Sequence, residues 1–200
     1  LAIIYGTMKV INLAHGEMVM IGAYVTVLAT KHLGVSLYWC LPLAFLITAG
    51  FGLVIERTVV RRLYGRLLDT LLATWGIALI LQQLIRIHFG LALFGIQIDG
   101  LGADLQNVPV PVELQQSFRF LGANIPAYRA FVFAIAVLLG AVTWWLVYRT
   151  RFGNQLRAVS VARNMAAACG INDQRVNALA FAYGSGLAGA AGVLVSGFKT

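Results

Sequence analysis

Residues 37 to 55 form a run of nineteen amino acids without a charged side chain. At a rise of about 1.5 Å per residue, such a run covers roughly 28 Å as a helix, which is enough to cross the hydrocarbon core of a bilayer. The aromatic pair Tyr38 and Trp39 near its start is typical of the membrane interface. The run therefore predicts a membrane-spanning helix.

Four further apolar runs alternate with polar segments along the chain. Charged residues make up 11% of the sequence, whereas a soluble domain contains about 25%. The pattern predicts an all-α integral membrane protein, a polytopic helical bundle with about five membrane segments in a single domain over residues 1–200. We expect this chain to be a fragment that is incomplete at both termini. The predicted segments are Leu13–Thr30, Leu37–Ile55, Leu71–Phe89, Tyr128–Tyr148 and Val176–Ser196, and the first of them either spans or is broken or re-entrant.

The polar segments differ in their basic residues. Lysine and arginine number four in 56–66 and five in 149–175, but one in 31–36 and one in 90–127. Because cytoplasmic loops carry the excess of basic residues, the two rich segments are predicted to be cytoplasmic, and 90–127 is predicted to be an external loop. These arginines explain the net charge of +8 as a topology signal, so nucleic-acid binding is not expected.

Residues 12 to 17 place an amide, an imidazole and a carboxylate within an otherwise apolar stretch. An ionisable side chain at the centre of a membrane helix costs on the order of 2.5 to 3.5 kcal/mol, so one that persists usually faces a wet cavity or a partner helix. We interpret this segment as the wall of a solute path formed by Asn12, His15, Gly16 and Glu17. The alternative for His15 is a buried hydrogen bond to a neighbouring helix.

The geometry of this segment in one straight helix is only partly favourable. Asn12 and His15 would share a face, while Glu17 would lie about 200° round from His15. Gly16 is expected to end or bend a helix, and Gly22 is expected to let another backbone approach closely.

The third apolar run has a polar feature near its start. Thr74 is predicted to add a hydroxyl to the path, and Trp75 to form part of its wall. The alternative for Trp75 is an anchor at the membrane interface.

The last apolar run carries small residues at every fourth position, namely Ala180, Gly184, Ala188, Gly192 and Ser196. Small residues in a line allow close helix packing, and we assign that role to Gly184, Ala188 and Gly192, with a gating hinge as the alternative. Val193 is expected to lie on another face.

Signals for catalysis are absent from the sequence. Residues 192–200 (GVLVSGFKT) approach a phosphate-binding loop, but Phe198 separates the second glycine from Lys199. The histidines lack metal-ligand spacing, and no serine is paired with a base. No catalytic residue, metal or cofactor is therefore predicted.

Three stretches resemble known transporter subunits. Residues 5–24 (YGTMKVINLAHGEMVMIGAY) resemble the NxAHG region of the permease subunits of the branched-chain amino acid ABC importer family. Residues 69–86 (DTLLATWGIALILQQLIR) and 162–171 (ARNMAAACGI) look closer to the bacterial urea ABC transporter permease. The resemblance covers most of the chain and is weakest across 90–127.

This resemblance implies a multi-pass subunit in the bacterial cytoplasmic (inner) membrane, a transport component and not an enzyme. Its implied partners are a second permease subunit, two cytoplasmic ATPase subunits, an extracytoplasmic solute-binding protein and membrane lipid. A short cytoplasmic helix of such permeases docks on the ATPase, and the matching segment here is about 157–171. Residues 164–170 (NMAAACG) depart from the EAA-type consensus of that helix. The coupling residues carried over are Arg157, Arg163, Asn164, Ala167 and Gly170.

The resemblance favours urea or a short-chain amide as the solute. Urea is neutral and offers amide donors and a carbonyl acceptor, which suits a path of amide, hydroxyl and imidazole groups. A branched-chain amino acid is the alternative, and it would require an anion site for its carboxylate. A passive channel and an intramembrane hydrolase are less favoured functions.

Overall fold

The computed structural model describes residues 12–86, 117–120 and 123–197. Four of the described helices are long and apolar enough to cross a membrane: Leu37–Thr58, Leu67–Ile85, Ala127–Arg149 and Asp173–Ser196. The helical membrane fold expected from the sequence is confirmed. The helices are α1 His15–Leu33, α2 Leu37–Thr58, α3 Leu67–Arg86, α4 Ala127–Arg149, α5 Arg151–Val161, α6 Arg163–Ala168 and α7 Asp173–Ser196, with a 3-10 helix at Val60–Leu63.

The predicted bounds differ from these helices mainly at the ends that carry polar residues. Helix α2 continues three residues past Ile55 to Thr58, and α7 begins at Asp173 instead of Val176. Helix α3 begins four residues before the predicted Leu71. Helices extend into the polar interface because their backbone bonds do not require apolar side chains. The end of the third predicted run, 87–89, lies outside the described residues.

Helix α7 lies at the centre of the bundle, with most of its side chains buried. It runs antiparallel to α2, since Gly52 faces Ser185 and Thr48 faces Gly189. Only residues 34–36 separate α1 from α2, so α1 runs parallel to α7.

Helices α1, α2 and α7 meet at Gly189. A Cβ atom at Gly22 of α1 would collide with the Gly189 carbonyl oxygen, and a Cβ at Gly189 would collide with Thr48 Oγ1 of α2. The Thr48 hydroxyl is already engaged, donating to the Ala44 carbonyl at 2.6 Å. Backbones approach this closely only where the side chain is a hydrogen atom. The expectation that Gly22 allows such an approach is confirmed.

The small-residue ladder of α7 lies within this packing. Gly184, Ala188 and Gly192 are all buried, and a Cβ at Gly192 would collide with the Val19 carbonyl oxygen. Val193, however, is fully buried as well. The face of α7 that carries Val193 is therefore covered too, because α7 is enclosed by α1 and α2 together and also contacts the start of α4. That last contact is a hydrogen bond of 2.6 Å from the Tyr128 hydroxyl to the Leu194 carbonyl.

The two arginine-rich segments lie at the same end of the bundle. The Arg163 guanidinium lies 5.4 Å from the centre of the Tyr64 ring, so 149–175 contacts the connection between α2 and α3. We call this end, formed by Val60–Leu63 and by α5 and α6, the basic end.

The predicted loop 90–127 contains regular structure in its last ten residues. Strands β1 Ser117–Phe120 and β2 Ala123–Pro126 pair antiparallel, with Phe120 opposite Ala123. The end of the predicted external loop therefore consists of two paired strands. Alternation of polar and aromatic residues in β1, with Ser117, Phe118, Arg119 and Phe120, is the period of a strand.

The junction at Gly189 gives a paired test. Gly189→Ala should destabilise the protein by about 1–3 kcal/mol, because the new methyl group overlaps Thr48 and the backbones must separate. The matched control is Gly50→Ala in α2, whose Cβ would meet no atom within 4 Å. The measurement is the midpoint of thermal unfolding in detergent, followed by size-exclusion chromatography. Equal midpoints for the two variants would contradict the close contact.

Candidate functional site

Helix α1 begins inside the bundle instead of at its surface. The Leu13 backbone N–H donates to Thr74 Oγ1 of α3 at 3.2 Å, and Gln82 Nε2 of α3 donates to Glu17 Oε1 at 2.7 Å. From the first contact to the second, the residue number increases on both helices, so α1 and α3 run parallel. Thr74 lies seven residues into α3, about 10 Å from its start at the basic end. The polar segment of the sequence therefore marks a helix start that lies level with the interior of the candidate span Leu67–Ile85.

Asn12 lies just before this helix and not on its face. Its side chain is almost fully buried, and its Oδ1 accepts a hydrogen bond of 3.0 Å from the Ala14 N–H. Asn12 Nδ2 and His15 Nδ1 are buried without a hydrogen-bond partner among the described residues. The expectation that Asn12 and His15 share a helical face was wrong, because α1 starts only at His15.

Gly16 lies in the first turn of α1, exposed and with open space where a Cβ would be. It does not end a helix, contrary to expectation. Glu17 follows it in the same turn and is partly buried. Sequence reasoning missed Gln82, its partner; the signal was an amide pair, Gln82 and Gln83, within an apolar run.

The two path residues predicted on α3 have different surroundings. Thr74 is fully buried, and its hydroxyl donates to the Leu71 carbonyl at 3.1 Å while accepting from Leu13. Trp75 is 53% exposed, one residue further round the helix. Thr74 thus joins α3 to the start of α1, whereas Trp75 lies on the outer surface of the described bundle.

This arrangement combines donors and a carboxylate. A helix start carries the positive end of the helix dipole, although most N–H groups of the first turn of α1 already donate to acceptors within the protein. The amide nitrogen of Asn12 and the imidazole of His15 add polar side chains there, while Glu17 supplies a negative charge. Buried polar atoms without partners are rare in proteins, and each requires an explanation such as a ligand or water.

The segment 157–171 forms two short helices at the basic end. Helix α5 begins at the N-cap Thr150, whose hydroxyl accepts from the Gly153 N–H at 3.2 Å. Its apolar stripe of Phe152, Leu156 and Val159 packs with α6 and the first turns of α7. The opposite side exposes apolar groups, because Val161 is 87% exposed and Met165 is 70% exposed.

The five predicted coupling residues lie on the surface of this segment. Arg157 donates to Asn154 Oδ1 at 2.6 Å and lies over the Tyr148 ring. Asn164 and Ala167 are exposed without a further contact that defines a role. Gly170 has a φ of 80°, which a larger residue adopts only with strain. Arg163 is the one of the five that contacts the α2–α3 connection.

Comparison with known proteins identifies the family. The model of the family described as "Branched-chain amino acid transport system / permease component" matches residues 1–198. The chain belongs to this family. Among its relatives, LivH of Salmonella typhimurium, a high-affinity branched-chain amino acid transport system permease protein, is 31% identical over 98% of this chain and 63% of the relative.

Two further relatives carry similar descriptions. BraD of Pseudomonas aeruginosa, also a high-affinity branched-chain amino acid permease protein, is 29% identical over 96% of this chain and 62% of the relative. LivM of Salmonella typhimurium is 27% identical over 97% of this chain and 48% of the relative. The chain thus spans less than two thirds of the length of these curated relatives. No solved structure matches it significantly.

Membership in this permease family confirms several expectations. By its family the chain is a permease component of a transport system, and the four candidate spans agree with a multi-pass protein of the cytoplasmic membrane. The resemblance to the amino-acid importer permeases is confirmed. The closer resemblance to a urea permease is not supported, because these relatives are described as branched-chain amino acid permeases.

The contact between Leu13 and Thr74 can be tested by a near-isosteric change. Thr74→Val should destabilise the permease by about 1–3 kcal/mol, because it removes the acceptor of a part-buried N–H group. Thr74→Ser keeps the hydroxyl and should retain most of the stability. The measurement is thermal unfolding in detergent. If Val at this position were as stable as Thr, the hydrogen bond would not hold α1 against α3.

Proposed function

We propose that this chain is a permease subunit of an ATP-driven importer that carries branched-chain amino acids across the membrane. The observation that carries the proposal is the start of α1 at membrane depth, where Asn12 and His15 have buried nitrogen atoms without partners. The descriptions of LivH and BraD support the same solute class.

The chemistry of an amino acid fits this segment. Its carboxylate is suited to the N-terminus of α1 because the positive end of the helix dipole favours an anion; the N–H groups of Leu13, Ala14, His15 and Glu17 already have acceptors within the protein. Broken helices in membrane transporters use such N-termini for anionic solute groups. The Asn12 amide and the His15 imidazole would add donors to the carboxylate.

Glu17 is the candidate partner for the ammonium group of the solute. Its carboxylate accepts from Gln82 at 2.7 Å, and one such bond leaves further acceptor positions free. Urea has no charge, so a urea path would have no use for the charge of Glu17. The negative charge of Glu17 therefore favours a zwitterionic solute over urea or a short-chain amide.

The partners follow from the same proposal. Similarity to both LivH and LivM of one organism supports a second, related permease subunit. The exposed apolar residues Val161 and Met165 provide a surface on which a cytoplasmic ATPase docks, with the basic end facing the cytoplasm. Two ATPase subunits and an extracytoplasmic solute-binding protein complete the importer. A passive channel would have no use for such a docking surface.

The proposed function is tested by transport in proteoliposomes that contain the complete complex with its binding protein. Labelled leucine, isoleucine or valine should accumulate only when ATP is supplied, and labelled urea should not accumulate. Uptake of urea driven by ATP would support the urea alternative instead. Equilibration of solute without ATP would indicate a passive channel.

The role of Glu17 has a separate test. Glu17→Gln keeps the shape and an acceptor for Gln82, but it removes the charge. A hydrogen bond to a charged group contributes about 1.5–3 kcal/mol, so amino-acid uptake per assembled complex should fall about tenfold or more. Uptake is measured at a saturating concentration of loaded binding protein, so that solute capture does not limit it.

The matched control is Asp69→Asn, an exposed carboxylate on α3 that lies 3.7 Å from Arg66. It should leave uptake unchanged. A fall in uptake that only tracks loss of assembly in Glu17→Gln would argue for a structural carboxylate.

A further inference from the structure

A carboxylate is completely buried at the basic end, outside the path. Glu56, in the last turn of α2, has no exposed surface. It accepts a hydrogen bond of 2.7 Å from the Tyr64 hydroxyl, and Arg61 Nη2 lies 3.3 Å from its Oε2. Burying a charge is costly unless it is paired and hydrogen-bonded, so these contacts hold the end of α2 to the connection that follows it.

Tyr64 extends these contacts to the coupling segment. The Arg163 guanidinium lies 5.4 Å from the centre of the Tyr64 ring. Burial, followed by the hydrogen bond to Glu56, raises the pKa of the Tyr64 hydroxyl, so the phenol remains a donor. Arg163 Nε also donates to Asp173 Oδ2 at 2.6 Å, in the first turn of α7.

We propose that Tyr64 and Arg163 are positioning residues that couple movement of the segment 157–171 to α2 and α7, with Glu56 as the buried anchor of that link. The inference rests on the proposed docking of an ATPase on this segment. A guanidinium stacked on a ring and bonded to a carboxylate is restricted in both direction and distance. When the ATPase displaces α6, Arg163 therefore moves Tyr64 and Asp173 with it.

The packing of α2 against α7 connects the basic end to the proposed solute path. The two helices contact each other along Gly52, Ser185, Thr48 and Gly189, and Gly189 also contacts α1. A well-packed interface deforms little and transmits displacement. Movement at the basic end thus reaches the helix whose start forms the proposed solute path.

Comparison with another ion pair supports the role proposed for Arg163. Arg66 and Asp69 are 3.7 Å apart with side chains 75% and 51% exposed; Arg66 immediately precedes α3 and Asp69 lies in its first turn. Such exposed pairs contribute little. Among the described residues, the Glu56–Tyr64–Arg163–Asp173 set joins α2, α6 and α7 through charged side chains and the Tyr64 phenol.

The test uses the complete complex in proteoliposomes with three readouts: co-purification of the ATPase, basal ATPase activity, and its stimulation by loaded binding protein. Arg163→Lys keeps the charge and a donor for Asp173 but loses the planar group over Tyr64. Tyr64→Phe keeps the ring and loses the hydroxyl that bonds Glu56. Each should retain co-purification and basal activity and lose stimulation at least fivefold, with a proportionate loss of uptake.

Two further comparisons make the result specific. The double variant should lose no more stimulation than the more severe single variant, because the residues act in one chain of contacts. Arg66→Lys is the control and should behave as the unmodified complex. Full stimulation in assembled Arg163→Lys would overturn the proposal, as would losses that only track assembly in every variant.

A separate variant tests the docking on which the inference rests. Met165→Glu adds a charge on the exposed apolar side and should abolish co-purification of the ATPase, while Gln155→Glu on α5 should not. Normal co-purification of Met165→Glu would refute docking at this surface. If instead the link through Tyr64 and Arg163 is absent, docking remains intact and Arg163→Lys shows unchanged stimulation. The failure of docking and the failure of the link are therefore distinguishable.

Discussion

The close packing of three helices at Gly189 is the contact on which the rest of this structure depends. In lipid, apolar side chains gain little by leaving the surrounding hydrocarbon, so helices associate through packing and polar contacts. Gly22 and Gly189 remove the side chains that would keep α1 and α7 apart. Thr48 fills the third side while its hydroxyl bonds within its own helix. The position of α1, and with it the proposed path, follows from this junction.

The start of α1 is the place where this stable packing is interrupted by polar groups. Helix ends leave backbone groups without intrahelical partners, and inside a membrane no bulk water can satisfy them. The Asn12 side chain and Thr74 of α3 satisfy the N–H groups of Ala14 and Leu13. The buried nitrogen atoms left over at Asn12 and His15 are suited to a polar solute passing through. Under the proposed function, structural and transport roles are therefore divided among neighbouring residues in this segment.

The charged side chains at the basic end are of two kinds, exposed arginines and a buried carboxylate. Exposed arginines set the orientation of the chain in the membrane and need no partner. Glu56 is different, because a buried carboxylate without partners would cost several kcal/mol. Arg61 and Tyr64 satisfy it, and Arg163 brings the segment 157–171 against the same Tyr64 ring. Several of the nine arginines counted from sequence in these two segments, Arg61 and Arg163 among them, thus have specific partners that a count does not reveal.

The sequence by itself determined the membrane class, the approximate spans and the small-residue face of α7, because length, hydropathy and residue size act locally along a helix. It also identified the polar segment at Asn12, since the cost of polar groups in lipid does not depend on the fold. The tertiary structure alone decided that α1 starts at His15, that Gln82 meets Glu17, and that Val193 is covered. Those facts depend on which helices lie side by side, and residues separated by 65 positions, as Glu17 and Gln82 are, meet only once the bundle is packed.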